Sequence, residues 1–159
     1  MGAGKSTVGR LLADRLGRAF VDLDERIASE AQATIPELFA EEGEAGFRRR
    51  EAALLAEVIA EGAQVVAPGG GAPCHGDNLE RMLASGVVAY LSSSVDEILA
   101  RVGAAADRPL LAGPGDRRAT VERLLQARQA HYQRAHFTVE TSGIPPSQVV
   151  ARLIAELGA

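Results

Sequence analysis

The first residues of the chain have the types and spacing that could hold phosphate groups. Gly4-Lys5-Ser6-Thr7 reproduces the end of the Walker A pattern, G-x-x-x-x-G-K-S/T. In such a loop the glycine lets the backbone wrap phosphate oxygens, Lys5 reaches the β- and γ-phosphates, and the Ser6 hydroxyl can bind Mg²⁺. A helical apolar stripe follows from about Lys5, so the positive end of a helix would face the phosphates. This segment therefore predicts a nucleotide-binding loop with a Mg²⁺ ligand.

The first part of the Walker pattern has no counterpart in the sequence. Its first glycine would lie before Met1, and so would the strand of ~5–6 residues that normally feeds such a loop. We expect that translation starts upstream and that the first central strand is missing from this chain. Two other nucleotide-binding folds are excluded. A Rossmann G-x-G-x-x-G would need glycine in place of Thr7, and the Asn-Lys-x-Asp segment of a GTPase is absent.

Two carboxylates follow a predicted strand and could act on an acceptor. Asp22 and Asp24 come directly after Ala19-Phe20-Val21, with Leu23 between them. In extended backbone, residues two apart point to the same side, so both side chains could reach one site. One could help to hold Mg²⁺ and the other could orient an attacking hydroxyl. The alternative is that Asp24 is a helix N-cap without a chemical role.

One of three consecutive arginines could bind an anionic acceptor. Arg48 has Glu51 three residues on, within pairing distance on a helix. A guanidinium fixed by a carboxylate suits the bidentate binding of an anionic group. The neighbouring Arg49 and Arg50 are expected on a solvated helix face.

A second arginine and a glycine run could belong to the same site. Arg128 lies on the apolar stripe of a predicted helix, where an unpaired guanidinium would be costly. A carboxylate-binding role is favoured, and a buried structural ion pair is the alternative. Gly69-Gly70-Gly71 follows a predicted strand, where bare backbone amides could approach a ligand closely. A simple tight loop is the alternative there.

The composition sets the class of protein. The 159 residues carry 17 Lys and Arg against 21 Asp and Glu, a net charge of −4, and 47% are hydrophobic. That length and core content fit one domain and exclude a disordered chain, and the acidic balance argues against nucleic-acid binding. The single cysteine, Cys74, excludes a disulfide framework, and no apolar run approaches the ~20 residues of a membrane helix. No leader precedes the first motif, so we expect a cytoplasmic protein.

The elements that would position these residues alternate along the chain. Apolar stripes predict helices at about 5–16, 24–30, 35–42, 47–59, 78–84, 120–135 and 145–158. The capping-box spacing of residues 94–97 predicts the start of another helix. Short apolar runs predict strands at 19–21, 64–67, 87–91 and 137–140. Strands separated by helices predict parallel pairing with right-handed crossovers, hence a three-layer α/β domain. Ligands bind beyond the carboxyl ends of such strands, which is where the glycines and carboxylates fall.

One stretch of the chain opposes regular structure. Residues 103–117 contain Pro109, Gly113, Pro114 and Gly115 among charged residues, a composition that suits a flexible lid. We expect a single domain over residues 1–159, with the lid at 103–117 and a substrate-binding helical region at about 24–61.

In their order and spacing these segments resemble the shikimate kinase family. The similarity runs from Met1 to the last helix and rests on G-A-G-K-S-T at 2–7, D-L-D at 22–24, F-R-R-R-E at 47–51, G-G-G at 69–71 and R-P-L-L at 108–111. The resemblance implies a five-stranded parallel sheet of the nucleoside-monophosphate-kinase type. It also implies transfer of the γ-phosphoryl group of ATP to the 3-hydroxyl of shikimate, in the pathway to chorismate and aromatic amino acids.

The resemblance further implies a role for each matching residue. ATP phosphates would be bound by Gly2, Ala3, Gly4, Lys5, Ser6 and Thr7, and Mg²⁺ by Ser6 and Asp22. Arg101 would lie near the adenine, and Arg108 would close on the phosphates from the lid. Asp24 would bind the substrate hydroxyls as the candidate base. The shikimate carboxylate would be held by Arg48 and Arg128 with a backbone amide of Gly70, within the run Gly69 to Gly71. Lys5, Asp24 and Arg108 would form the catalytic set.

Two alternatives to this activity remain at the level of sequence. Another small-metabolite kinase of the same fold, such as a gluconate kinase, also binds a carboxylate, although F-R-x-x-E with the glycine run favours shikimate. The second alternative is a protein that binds a nucleotide without catalysis. The presence of Lys5, Asp24 and Arg108 together argues against it, because binding alone does not require all three. We expect a monomer that binds shikimate and ATP, and neither nucleic acid nor a membrane.

Overall fold

The chain folds as a layered α/β structure, seen here in a computed structural model that describes residues 2–102 and 116–158. Within those ranges the helices are α1 (Lys5–Leu16), α2 (Leu23–Ala31), α3 (Ile35–Glu61), α4 (Asn78–Ser85), α5 (Val95–Val102), α6 (Arg117–Tyr132) and α7 (Pro146–Leu157). The strands are β1 (Phe20–Asp22), β2 (Val65–Ala67), β3 (Ala89–Ser92) and β4 (Phe137–Glu140). A short 3₁₀ turn covers Ala72–Cys74. No helix in the described ranges is long and apolar enough to cross a membrane.

The four strands form two parallel pairs. Strand β1 pairs with β2 in the register Phe20 to Val65, and β3 pairs with β4 in the register Ala89 to Phe137. In the described part of the chain no strand bridges β2 and β3. The predicted parallel pairing is therefore confirmed, whereas the implied sheet of five strands is present as four strands in two halves.

Helices cover both faces of the strands because strand residues alternate in direction. Val65 packs with α1 and α7 in one core cluster, whereas the next residue, Val66, packs with α2 and α3 in another. The first cluster also takes side chains from β3 and β4, so α1 and α7 lie across both strand pairs. A third, smaller cluster joins α5 to α6 around Ile98 and Val121. These layers bring the carboxyl ends of β1 and β2 next to the start of α1.

Helix boundaries follow the sequence closely except at Gly43 and in α6, which runs from Arg117 to Tyr132 instead of over 120–135. Gly43 has φ 67° and ψ 178°, which interrupts α3 between the two helices predicted there. Helix α6 begins at Arg117 rather than at Thr120, because the carboxylate of Asp116 caps it by accepting a hydrogen bond from the Arg118 amide at 2.8 Å. The end of the predicted lid is thus a helix start, and the rest of the lid, with Arg108, lies outside the described residues.

Candidate active site

The phosphate loop ends at a helix N-terminus that no side chain caps. Gly4 is the N-cap of α1 with φ 83° and ψ 19°, a left-handed conformation that favours glycine, and no acidic residue lies in the first turn. Because the N-cap residue carries no side chain, it does not cap the amides of this turn, which point along the helix axis and can receive an anion. Ala3 is buried, Lys5 and Ser6 are half-buried, and Thr7 is exposed.

Asp22 connects this loop to the end of β1. The Ser6 hydroxyl donates to Asp22 Oδ2 at 2.5 Å, so the two predicted metal ligands are in contact. Asp22 Oδ1 accepts from the amides of Asp24 and Glu25 at 3.1 and 3.3 Å, which makes Asp22 the N-cap of α2. The alternative interpretation of Asp24 as the cap is therefore wrong.

Asp24 points to a different place from Asp22. The prediction that both carboxylates face one side assumed extended backbone, but β1 ends at Asp22 and Asp24 lies in the first turn of α2. Asp22 faces Ser6, whereas Asp24 faces the glycine loop after β2. A Cβ atom built on Gly69 would lie 2.8 Å from Asp24 Oδ1 and 2.6 Å from Glu51 Oε1. The carboxylates of Asp24 and Glu51 thus both point into the space that a side chain at residue 69 would fill.

Arg48 and Glu51 form the buried pair that the sequence predicts. Arg48 Nη1 donates to Glu51 Oε2 at 2.8 Å, with the two side chains 10% and 0% exposed. Burial raises the pKa of Glu51, and the positive charge of Arg48 opposes that rise. Arg48 also pairs with Glu44 at 3.2 Å, and its guanidinium lies 5.3 Å from the centre of the Phe47 ring. These contacts fix the guanidinium in one orientation.

Two polar atoms of this pair have no hydrogen-bond partner among the described residues. Arg48 Nε and Glu51 Oε1 are both buried and unpartnered. A buried donor left in this state costs about 1–3 kcal/mol. An anionic group bound beside Arg48 would offset part of that cost.

The glycine loop packs directly against Arg48. A Cβ atom built on Gly71 would lie 2.4 Å from Arg48 Nη2, so the guanidinium occupies the place of the missing side chain. The loop is held by its own turns, in which the amides of Ala72 and Cys74 donate to the carbonyls of Gly69 and Gly71. The segment Gly69 to Gly71 is thus a tight loop, as the alternative interpretation of the sequence had it, and it also packs against a buried guanidinium.

Helix α6 brings Arg128 close enough to the pair of Arg48 and Glu51 for its charge to act on Glu51. Arg128 is half-buried and forms no ion pair with an acidic side chain of the described residues. Its charge acts on Glu51, Cys74 and Tyr132. The structure therefore gathers Asp24, Arg48, Arg128 and the glycine loop around one space.

Arg101 joins a second cavity to the phosphate loop. Its Nη1 atom donates to the carbonyl of Gly2 at 3.3 Å, and its Nη2 atom donates to the carbonyl of Thr141 at 3.3 Å. Glu97 pairs with the same guanidinium. With Gly143, Ile144 and Pro145 these residues line a cavity of about 360 Å³, large enough for part of a nucleotide base and ribose.

Two residues of the site were not predicted as site residues. Glu51 entered the sequence analysis only as a partner of Arg48, although its complete burial at an i+3 position marks it as part of the pocket. Tyr132 lies within the helix predicted at about 120–135, on the same apolar stripe as Arg128. Its hydroxyl donates to the carbonyl of Gly70 at 2.6 Å, a contact between residues 62 positions apart that no local pattern indicates.

Parallel strands, a helix that begins at Gly-Lys-Ser-Thr and a polar pocket beside that helix define a P-loop kinase of a small molecule. The shikimate kinase family model matches residues 1–158. A shikimate kinase of Bordetella pertussis is 41% identical over all of this chain and 75% of its own length. One of Pseudomonas paraeruginosa is 43% identical over 99% of this chain and 91% of its own length.

Solved structures agree with these sequence matches. A shikimate kinase of Acinetobacter baumannii in complex with shikimate superposes with a TM-score of 0.93 at 38% identity, covering 99% of this chain and 89% of that one. The enzyme of Aquifex aeolicus gives a TM-score of 0.83 at 29% identity, covering 99% and 91%. The chain belongs to the shikimate kinase family. Its activity is ATP-dependent phosphorylation of shikimate, which decides against the gluconate kinase and non-catalytic alternatives.

Proposed function

We propose that the pocket between α2, α3, the glycine loop and α6 binds shikimate, and that its 3-hydroxyl is phosphorylated there. The observation that carries this proposal is the buried pair of Arg48 and Glu51 against Gly71. It presents an oriented guanidinium with an unpartnered Nε atom to the pocket. A carboxylate is the group that such a fork binds with two parallel hydrogen bonds.

Two arginines share the substrate carboxylate in this proposal. Arg48 approaches from α3 and Arg128 from α6, and both act on the charge of Glu51 between them. Glu51 is therefore the counter-charge that keeps the guanidinium of Arg48 in place before substrate arrives. The backbone amides of Gly70 and Gly71 lie at the same wall and can donate to a ligand oxygen.

Asp24 is the residue that acts on the acceptor hydroxyl. It lies in the first turn of α2, directly after β1, and its Oδ1 atom faces the Gly69 position of the glycine loop. In this role the carboxylate orients the hydroxyl and accepts its proton as the phosphoryl group transfers. Glu51 is already engaged by Arg48 through its Oε2 atom, which leaves Asp24 as the candidate base.

The nucleotide is held on the opposite side of the phosphate loop. The amides at the start of α1 and Lys5 bind phosphate oxygens, and the cavity at Arg101, Ile144 and Pro145 takes the adenine. Because Arg101 also contacts the carbonyl of Gly2, the base site and the phosphate loop are mechanically linked. Arg108, outside the described residues, is proposed to close on the phosphates.

Ser6 and Asp22 fit the requirements of a Mg²⁺ site. Their oxygens are in contact at 2.5 Å, beside the helix start that faces the phosphates, and Mg²⁺ prefers oxygen ligands from one or two side chains plus phosphates and water. When bound, the ion neutralises charge on the transferring phosphoryl group. Asp22 therefore serves α2 as a cap through Oδ1 and the metal through Oδ2.

Several general properties complete the proposal. We expect the chain to act as one P-loop kinase domain, as a monomer, in the cytoplasm, without nucleic acid or membrane partners. Its weakly acidic charge of −4 supports the expectation about nucleic acid.

Arginine substitutions test the substrate site. Arg48→Ala and Arg128→Ala should each raise the shikimate KM at least about tenfold, because removing one partner of a buried charged hydrogen bond costs about 2–5 kcal/mol. The ATP KM should change less than about twofold. Arg49→Ala is the matched control, since Arg49 neighbours Arg48 but is exposed. Equal shikimate KM values in Arg48→Ala, Arg128→Ala and the control would refute the carboxylate assignment.

A further inference from the structure

Tyr132 makes a long-range contact with the glycine loop. It is the last residue of α6, and its hydroxyl donates to the carbonyl oxygen of Gly70 at 2.6 Å. This carbonyl belongs to the peptide between Gly70 and Gly71. A peptide is planar, so a bond that fixes its carbonyl also fixes the direction of the Gly71 amide.

The loop needs such a restraint because of its composition. Gly69, Gly70 and Gly71 have no Cβ atoms, and a peptide flanked by glycines can rotate at little steric cost. The turn bonds of the loop engage the carbonyls of Gly69 and Gly71 but not that of Gly70. Within the described residues, the Tyr132 hydroxyl is the partner recorded for the Gly70 carbonyl.

Tyr132 is itself held in place from two sides. Its ring stacks on that of Tyr90 from β3, with ring centres 4.8 Å apart and an angle of 25° between the planes. Arg128 lies one turn earlier on α6, and its positive charge acts on the phenol group. Burial raises the pKa of Tyr132 and Arg128 opposes the rise, so the hydroxyl keeps its proton and remains a donor.

We propose that Tyr132 is a positioning residue, which fixes the Gly70–Gly71 peptide relative to Arg128 and so sets the substrate pocket before shikimate binds. The inference rests on the proposed substrate site. One side chain contacts the backbone wall of the pocket and lies one helical turn after Arg128 on α6. Removing the Tyr132 hydroxyl would leave every substrate-binding group present, but the loop amide would no longer be fixed relative to Arg128.

Tyr132→Phe tests this role because it removes only the hydroxyl. We expect the shikimate KM to rise about three- to tenfold, in line with the loss of one partly buried hydrogen bond. The ATP KM should stay within about twofold of the parent. Hydrogen exchange of the backbone amides at residues 70–72, measured without substrate, should become faster. A residue that only packs would not produce this combination.

Tyr90→Phe is the control variant. It keeps the stacked pair of rings and removes a hydroxyl from the same cluster, without touching the bond to Gly70. We expect its shikimate KM and its exchange at residues 70–72 to match the parent. Tyr132→Leu removes the ring as well and should lower the melting temperature. Comparing it with Tyr132→Phe distinguishes the loss of ring packing from the loss of the hydroxyl that positions the loop.

Three outcomes would overturn the proposal. They are a shikimate KM in Tyr132→Phe that equals the parent value, an ATP KM that rises by the same factor, and unchanged exchange of the loop amides. If Arg48→Ala and Arg128→Ala raise the shikimate KM while Tyr132→Phe does not, only the role of Tyr132 fails. If neither arginine variant changes it, the proposed substrate site fails as well.

Discussion

The guanidinium of Arg48 occupies the space in which a side chain at Gly71 would lie. A Cβ atom at that residue would be 2.4 Å from Nη2 and 2.7 Å from Cζ of Arg48, well inside van der Waals contact. Arg48 cannot retreat easily, because its other side is paired with the fully buried Glu51. The identity of a loop residue after β2 is thus determined by a side chain on α3.

Substitution of Gly71 should therefore disrupt shikimate binding selectively. Gly71→Ala is expected to displace Arg48 and to weaken shikimate binding at least about tenfold, measured by calorimetry, while Mg-ATP binding stays near normal. Gly86→Ala is the matched control, because Gly86 has φ −178° and nothing lies within 4 Å of its Cβ position. Parent-like affinity in Gly71→Ala would mean that Arg48 does not bind the substrate from its observed position.

Asp24→Asn should separate catalysis from binding. The amide keeps the size of the side chain but cannot accept a proton, so we expect turnover to fall about 10²–10⁴-fold. The ATP KM should remain within about twofold, since Asp24 faces the glycine loop rather than the phosphate loop. Steady-state kinetics with both substrates checks this, with the exposed Asp14→Asn as control. Turnover within threefold of the parent would leave Asp24 without a catalytic role.

Ser6→Ala should change the dependence on Mg²⁺. Losing the hydroxyl that contacts Asp22 Oδ2 should raise the half-saturating Mg²⁺ concentration about tenfold or more, and excess Mg²⁺ should restore part of the activity. The exposed Ser29→Ala on α2 serves as control. A Mg²⁺ titration that coincides with that of the parent would argue against Ser6 as a ligand.

Glu140 should contribute to stability only above acidic pH. The side chains of Ser142 and Ser92 lower the pKa of Glu140 from 4.5 to about 2. The Ser92 hydroxyl donates to the carboxylate at 2.6 Å, and the Ser142 amide also donates to it at 2.9 Å. A depressed acid pKa stabilises the fold above the unfolded-state value. That contribution is lost as the pH falls from about 4.5 to about 2.

The Glu140→Gln variant tests this pH dependence. At pH 7 it should be less stable by about 1 kcal/mol or less, because the carboxylate is exposed and screened by solvent. The difference from the parent should shrink below pH 4 and vanish near pH 2. Chemical denaturation at several pH values measures it, with the exposed Glu156→Gln as control. A stability difference independent of pH would contradict the assignment.

Local patterns in the sequence predict most of the secondary structure. The limits of α1 and β4 agree to the residue, because amphipathic stripes and capping glycines are local signals. The start of α6 was missed because the apolar stripe begins later than the helix. Asp116 supplies the cap one turn earlier, within a stretch whose glycines and prolines suggested an irregular segment.

The active site was only partly predictable. Single motifs indicate Lys5, Ser6 and Arg48, since each lies in a short pattern with a known chemical use. The separation of Asp22 from Asp24 was not predictable, because it depends on where β1 gives way to α2. Contacts such as Tyr132 with Gly70 arise only from packing of α6 on the loop, and no spacing rule reports them.

The free edges of β2 and β3 have a consequence for how the 159-residue chain behaves at high concentration. In the described residues each strand has a partner on one side only, and neither Val65–Ala67 nor Ala89–Ser92 contains a charge or a proline. Unprotected edges of this kind template pairing with other chains, and Val87, just before β3, is 60% exposed. Concentrated samples should therefore aggregate through strand addition, and a charged substitution at Val87 is the first change to make in preparing them.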